Sequence, residues 1–270
     1  MMLGALLPGL GVTGWRALMK EPFAKKLMGS GIVPILTRII VEGGGGPFSV
    51  NGAMKLSGTY GFSHVLDDHG AVERIHLGMW LEASLPIGVT YGAPPDNAGE
   101  IAVAGRVYAE HTVTRPFGAK EERRVRRLDV EGFDPVPGPA VTGVHVACNA
   151  RAPEGATMLD TELVFDACPI VFGLGHTDSN QHVNSLVYLR LFEEAALRRL
   201  AEHGRRSALL LRGVQIGYRK PCFAGEAVRM VLQAFEHQGR LGALGAVVPL
   251  DTSSAADTSH AHAFIAGWLS

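Results

Sequence analysis

Residues 185–203 read SLVYLRLFEEAALRRLAEH, and this stretch limits the fold more than any other. Placed on a helix, Leu186, Val187, Leu189, Leu191, Phe192, Ala195, Ala196, Leu197 and Leu200 cover most of the circumference. The charged stripe is narrow: Arg190, Glu193, Glu194 and Arg198. Its Arg190–Glu194 and Glu194–Arg198 spacings are i,i+4 and suit ion pairs. A helix this apolar must be wrapped by other structure on most sides. Segments able to wrap it follow at 208–219, 226–237, 240–250 and 260–269. Val214, Ile216 and Tyr218 alternate with other residues, as do Val228, Met230, Leu232 and Ala234, which is the period of a strand. The polar tract 251–261, DTSSAADTSHA, reads as the loop between the last two strands. Ahead of the helix, ELVFDACPIVF at 162–172 reads as one further strand. The expectation is an α+β unit in which an antiparallel sheet curves around one buried helix.

The N-terminal half has a different texture. Trp15, Leu18, Met19, Phe23 and Leu27 fall near one face of a helix over 15–28, with Pro22 as a kink. A second apolar piece, IVPILTRIIVE, precedes the run Gly43–Gly46. That run lacks the Lys-Ser/Thr of a phosphate-binding loop and reads as a connector. From about 52 to 150 the alternation of Ile75, Leu77, Met79 and Leu81, and of Ile101, Val103, Gly105, Val107 and Ala109, predicts about five strands. Turn clusters at 67–70, 93–99 and 133–139 separate them. The basic run KEERRVRR at 120–127 reads as a solvated strand end; the competing reading is a docking patch for CoA phosphates or an acidic carrier protein. RAPEGA at 151–156 reads as a linker, dividing the chain into domains 1–150 and 157–270.

The chain of 270 residues carries a formal net charge of −1, which gives no support for nucleic-acid binding. Cys148, Cys168 and Cys222 are widely spaced with no Cys-x-x-Cys pair, so neither a disulfide framework nor a structural zinc site is expected, and a reducing, cytoplasmic setting fits. The first sixteen residues are apolar but lack the basic region of a signal peptide and are broken by Pro8 and glycines. They are expected to dock on the domain. No stable membrane insertion is expected, since no run of roughly 18 apolar residues occurs.

Directly before the apolar helix stands a polar cluster, Asp178, Asn180, His182 and Asn184. Singly, these are ordinary turn and capping residues, with Asn184 or Ser185 a good N-cap. As a spaced set, Asp178-Ser179-Asn180-Gln181-His182-Val183-Asn184 followed by Tyr188 and Glu193-Glu194-Ala195 resembles the hot-dog fold thioesterases. It is most similar to the acyl-acyl-carrier-protein thioesterases, which carry D-x-N-x-H-V-N. A second stretch, Tyr218-Arg219-Lys220-Pro221-Cys222 with Gly225-Glu226 and Val228, resembles the same group's second strand. The likeness covers about residues 160–270.

The resemblance implies a double hot-dog, with antiparallel sheets each wrapped on a helix and a degenerate N-terminal half that departs from the pattern by placing its helical part ahead of its strands. It implies at most one catalytic site, near the interface of the halves. The implied activity is hydrolysis of fatty-acyl thioesters on acyl-carrier protein or CoA. Asp178 would be base or nucleophile, with Asn180 and His182 holding water and orienting it. Free N–H groups from Val183 to Leu186 would stabilise the developing oxyanion. Val183, Asn184, Ser185, Tyr188 and Cys222 would contact substrate, in a tunnel walled by helix and sheet. No cofactor and no metal are implied; a metal held by His176, Asp178 and His182 is the weaker reading of those residues, and Cys222 as nucleophile is another. Pro221 departs from the plant-type pattern, where an acidic residue precedes the cysteine, which keeps open a non-catalytic acyl-thioester-binding module. An enoyl-thioester hydratase or dehydratase is the third class, disfavoured because His182 lies four residues after Asp178 and no proline intervenes. Acyl chain length, carrier, pathway and pairing into a homodimer stay open. A Ser-His-Asp hydrolase is not supported, since no Gly-x-Ser-x-Gly occurs.

Overall fold

A computed structural model describes residues 3–49, 51–88, 93–131, 133–139, 151–205 and 209–270. Two compact units divide the chain: Ala5–His145, and Val146–Ser270 together with Met2–Gly4.

The first unit is a four-stranded antiparallel sheet. After helical turns at Gly11–Trp15 come α1 (Arg16–Leu18) and α2 (Pro22–Gly29), then β1 (Val33–Gly43), β2 (Lys55–Leu66), β3 (Val72–Pro86) and β4 (Ile101–Thr114), in the order β2-β3-β4-β1. Alternation sends Ile39, Val41, Ile75, Leu77, Met79, Leu81, Val107, Ala109 and Val113 to one buried face. The N-terminal segment lies on that face, burying Leu6, Leu10 and Leu18. Contact is close enough to demand glycine: a Cβ on Gly105 would stand 2.4 Å from Leu6 Cδ1. The segment docks on the domain as its composition suggests.

The helix expected over 15–28 is two pieces. α1 ends at Leu18, and Pro22 opens α2 at its first turn, where a missing N–H costs nothing. IVPILTRIIVE is β1 and had no assignment from sequence. Of the five strands expected over 52–150, the described residues hold three; residues 140–150, including Cys148, lie outside the description. The glycine run begins as sheet, not connector: Gly43 closes β1 and the Gly44 N–H donates to the Ala104 carbonyl at 2.9 Å. KEERRVRR folds into a turn after β4, with Val125 buried and its four arginines exposed.

The second unit pairs β8 (Leu211–Tyr218), β11 (Ala263–Leu269), β10 (Arg240–Pro249) and β9 (Ala227–His237) in that antiparallel order. α3 (Ser185–Glu202) packs on β9 and β8 and buries Tyr188, Leu189, Phe192, Ala195, Ala196 and Leu200. Each large side chain among these contributes on the order of 1.5–3 kcal/mol. Phe192 sits where a Cβ on Gly267 of β11 would be, 2.7 Å from it. The opposite face of the sheet is covered as well. Val231, Ala246, Val248 and Phe264 pack with Leu163, Phe165 and Ala255, while Phe235, Leu244 and Ala266 pack with Ala152, Ala156 and Leu163. RAPEGA is therefore not a bare linker: its Ala152 and Ala156 pack, half-buried, on the sheet while Arg151, Glu154 and Gly155 are exposed.

The strand expected at 162–172 is broken into β6 (Val164–Phe165) and β7 (Ile170–Val171), preceded by β5 (Thr157–Met158), all three along the outer edge of β9. The interruptions have a cause. Pro169 has no N–H to donate. Asp160 and Asp166 turn their carboxylates to α3: Asp166 takes a two-pronged bond from Arg198 at 3.0 and 2.7 Å, and Asp160 binds Arg199, the His203 ring at 2.6 Å and the Ala234 N–H at 2.6 Å. Arg198 thus serves Asp166, and neither i,i+4 pair expected on α3 is among the ion pairs of the described residues. Burial pushes the Asp160 carboxyl up, but Arg199, the Ala234 N–H and His203 outweigh it and hold it below the ordinary carboxylate range.

Replacing Asp160 by Asn is expected to destabilise the fold by about 3 kcal/mol, because the Arg199 and His203 positions lose a charged partner in a buried setting; chemical denaturation of both proteins at pH 7 measures it. In the first unit, burial pushes the His111 ring, packed on Trp15, from 6.5 down to about 4, against smaller upward effects of the Leu77 carbonyl and Glu110. Between those values the unfolded chain binds the proton and the folded chain does not. The His111 contribution is therefore complete above pH 6.5 and is lost as pH falls toward 4. Urea midpoints for His111→Gln are expected to fall less steeply than wild type across that window.

Candidate functional site

The loop Thr177–Asn184 reaches α3 through a tight, self-bonded turn. Its ends pair as Thr177 with Val183. The Asp178 N–H donates to the His182 carbonyl at 2.8 Å, and the Gln181 N–H to the Asp178 carbonyl at 3.0 Å. Gln181 stands at φ 63, a left-handed conformation uncommon outside glycine. The Asp178 carboxylate closes the turn: its Oδ1 accepts the N–H of Asn180 at 2.8 Å and of His182 at 3.3 Å. Oδ2 has no hydrogen-bond donor among the described residues, and the residue is exposed. A carboxylate gripped by one oxygen and open at the other is oriented for use as a base or nucleophile.

The three residues Asp178, Asn180 and His182 share this loop, but Asp178 bonds to the backbone of the other two, not to their side chains. The exposed His182 ring stands edge-on to Phe223, 5.1 Å between centroids. Asn184 is the N-cap of α3, its Oδ1 accepting the Leu186 N–H at 2.9 Å. The expected row of free N–H groups is largely used up. Val183 donates to the Cys222 carbonyl and Asn184 to the His176 carbonyl, both at 2.8 Å, and Leu186 to its cap. Among the described residues, Ser185 N–H is the one left at the helix start, so the oxyanion donor narrows to that group and the helix dipole behind it.

Tyr188 and Cys222 lie in the interior behind the loop, 2% and 0% exposed, with the phenol against the thiol. Burial pushes the Cys222 thiol up to about 11; the Tyr188 hydroxyl offsets part of this and the Glu226 charge adds to it. A thiol of that acidity is protonated at neutral pH, which argues against Cys222 as a nucleophile. Burial, with the adjacent Cys222, also raises Tyr188. Tyr218 donates to the Ser185 carbonyl at 3.3 Å and meets the Tyr188 ring at 5.4 Å. Glu226 and His262 gather beside Cys222. Glu226 belongs to the Gly225-Glu226 stretch that carries the resemblance, whereas nothing in the sequence marks His262, which stands forty residues from Cys222. His176, by contrast, spends its Nδ1 on the Gly173 N–H at 3.1 Å and joins no metal-capable group among the described residues.

A separate open groove of 460 Å³ lies on the outer face of the first unit, lined by Trp80, Tyr108, Glu82 and Arg106 among others. No helix among the described residues is long and apolar enough to cross a membrane.

No family model matches the sequence, and no curated protein matches it. Solved structures do. An acyl-ACP thioesterase from Bacteroides thetaiotaomicron superposes with a TM-score of 0.50 at 11% identity, over 91% of this chain and 80% of that one. A 12:0-ACP thioesterase from Umbellularia californica gives 0.52 at 11% identity, over 91% and 76%. This is the hot-dog thioesterase fold. At that identity the likeness is one of fold, and the chemistry has to be argued from the side chains.

The exposed Cys168 is expected to react with iodoacetamide at pH 7.5 while Cys222 stays unmodified until the fold is opened by denaturant. Peptide mass spectrometry after timed quenching reads both; equal labelling of the two would contradict the buried, protonated state of Cys222.

Proposed function

We propose that the chain hydrolyses fatty-acyl thioesters carried on acyl-carrier protein or CoA, with Asp178 as base or nucleophile at the N-terminus of α3. The observation that carries this reading is the Asp178 carboxylate: one oxygen fixed by two backbone N–H groups, the other open, immediately before a helix start with an unused N–H at Ser185. In the base pathway, Asp178 removes a proton from water as the water oxygen attacks the thioester carbonyl. The carbonyl oxygen gains charge against Ser185 N–H. The carbon–sulfur bond then breaks, and the proton returns from Asp178 to the leaving thiolate. Asn180 and His182, on the same exposed turn, hold the water and the thioester. The acyl-ACP specificity of the superposed structures favours a carrier-protein substrate over CoA.

On this reading the molecule is a double hot-dog. The second unit carries the site; in the first, the helical N-terminal segment laid on the β1–β4 sheet takes the place of the central helix, and no D-x-N-x-H motif accompanies it. A cytoplasmic location accords with the free Cys168 and Cys222 thiols. One observation favours the second reading, a binding module without turnover: Pro221 stands where plant-type members carry an acid, and the adjacent thiol is buried and protonated.

Thiol release from acyl-CoAs and acyl-carrier proteins of several chain lengths decides between them. Wild type is expected to turn over, and Asp178→Asn to lose about two orders of magnitude or more in kcat/KM while melting at a similar temperature. Tight acyl-thioester binding with no turnover by wild type would establish the binding module instead.

A further inference from the structure

We propose that Cys222, Glu226 and His262 form a binding site for a divalent metal ion of the zinc class, distinct from the Asp178 loop. One donor atom from each of the three lies within 4.8 Å of the other two. In a tetrahedral zinc site, ligand atoms stand about 3.3–3.8 Å apart. Small side-chain rotations would bring the three donors from within 4.8 Å to that spacing. A thiolate, an imidazole and a carboxylate make a mixed set that suits Zn(II) over Mg(II) or Ca(II), which prefer oxygen alone.

The backbone around the three is already held. Cys222 follows β8, Glu226 precedes β9 and His262 precedes β11, so the donors stand at the ends of three strands of one sheet. The Cys222 carbonyl accepts the Val183 N–H, and the Glu226 carbonyl accepts the Phe172 N–H at 3.0 Å. His262 donates its N–H to Val247 and accepts from Arg219 and Lys220. The side chains are oriented too. His262 Nδ1 stands 3.3 Å from the Pro221 carbonyl; donation there leaves Nε2 as the basic nitrogen, the arrangement that orients metal-bound histidines. One Glu226 oxygen accepts the Phe223 N–H at 3.0 Å, which leaves its second oxygen for a cation. Tyr188 faces the thiol from the interior side.

The burial pattern fits a metal better than a nucleophile. Cys222 is fully buried, which keeps its sulfur from a substrate carbonyl, whereas Glu226 and His262 are half-exposed and give the cluster a solvent-facing side. Binding would exchange the thiol proton for the metal: Cys222–SH and Zn(II) give the zinc thiolate and a released proton. Three protein ligands leave a fourth position for water.

The test uses the full chain, stripped by dialysis against chelator and then titrated with Zn(II) by equilibrium dialysis and with Co(II) by absorption. Wild type is expected to take one equivalent and to show a thiolate-to-Co(II) charge-transfer band. Cys222→Ser is expected to lose the band and to weaken Zn(II) binding by roughly 100-fold, His262→Gln by a similar factor, and Glu226→Gln by about tenfold. Cys168 remains in every variant, so binding by an exposed thiol is a constant background. Should Cys222→Ser fail to fold, Glu226→Gln, on a half-exposed side chain, still reports the site. Wild type that binds Zn(II) no more tightly than His262→Gln or Glu226→Gln, or a charge-transfer band that survives Cys222→Ser, overturns the proposal. The readouts are independent of thioester turnover, so their failure leaves the Asp178 reading untouched.

Discussion

Burial of one face of α3 against the sheet is the constraint on which the second unit depends. At 3.6 residues per turn Tyr188, Leu189, Phe192, Ala195, Ala196 and Leu200 fall within one arc of roughly 140°, and all are buried. Leu186, Val187, Leu191 and Leu197 are only half-buried and Arg190 and Glu194 are exposed, so α3 lies on the sheet by one face rather than being wrapped on most sides. The β8–β11–β10–β9 sheet covers that face, and the edge segment 157–172 reaches the helix through the Phe172 ring, 6.2 Å from that of Tyr188, and through Asp160 and Asp166. Hydrophobic burial is non-directional and does not set where the helix stops sliding or turning on the sheet. Two charged clamps do that. Asp166 with Arg198 and Asp160 with Arg199 and His203 tie the C-terminal half of α3 to the strand edge, at the cost of breaking that edge into short pieces. Buried ion pairs add little net stability over apolar packing, but they are specific about geometry, which is the use made of them here.

The same arrangement positions the other end of the helix. With its C-terminal half clamped, α3 presents its first turn to the Thr177–Asn184 loop, and that loop is tied in turn to the segment between β8 and β9 by the Val183–Cys222 hydrogen bond and the His182–Phe223 pairing. The Asp178 loop and the Cys222 cluster are thus neighbours through backbone hydrogen bonds. Any change in the β8–β9 connection has a direct route to the turn that orients Asp178, and a cation at Cys222 would stiffen that route.

Much of the second unit was legible because its signals are local. The ends of α3 and of β8 to β11 fall within a few residues of the segments read from apolar period and turn residues, and Asn184 caps α3 as its residue type suggests. What failed was non-local. Val164 to Val171 have strand composition, yet the register is interrupted because Asp160 and Asp166 answer to arginines on a helix more than thirty residues away. Arg198 looked committed to Glu194 by spacing, but a bidentate, nearly buried carboxylate is a stronger partner than an exposed i,i+4 neighbour. β1 was unassigned because Ile35, Leu36, Ile39 and Ile40 follow no single period; the strand shifts register between Leu36 and Arg38.

The candidate site divides in the same way. By itself the sequence determined that a polar cluster with a capping Asn184 stands at the start of an apolar helix, since residue type, spacing and helix periodicity all act over a few residues. Only the tertiary structure decided which backbone N–H groups stay free, that Cys222 is sealed from solvent, and that Glu226 and His262 stand beside it. Those outcomes depend on which strand ends the sheet brings together, and strand pairing joins residues that chain distance leaves unrelated.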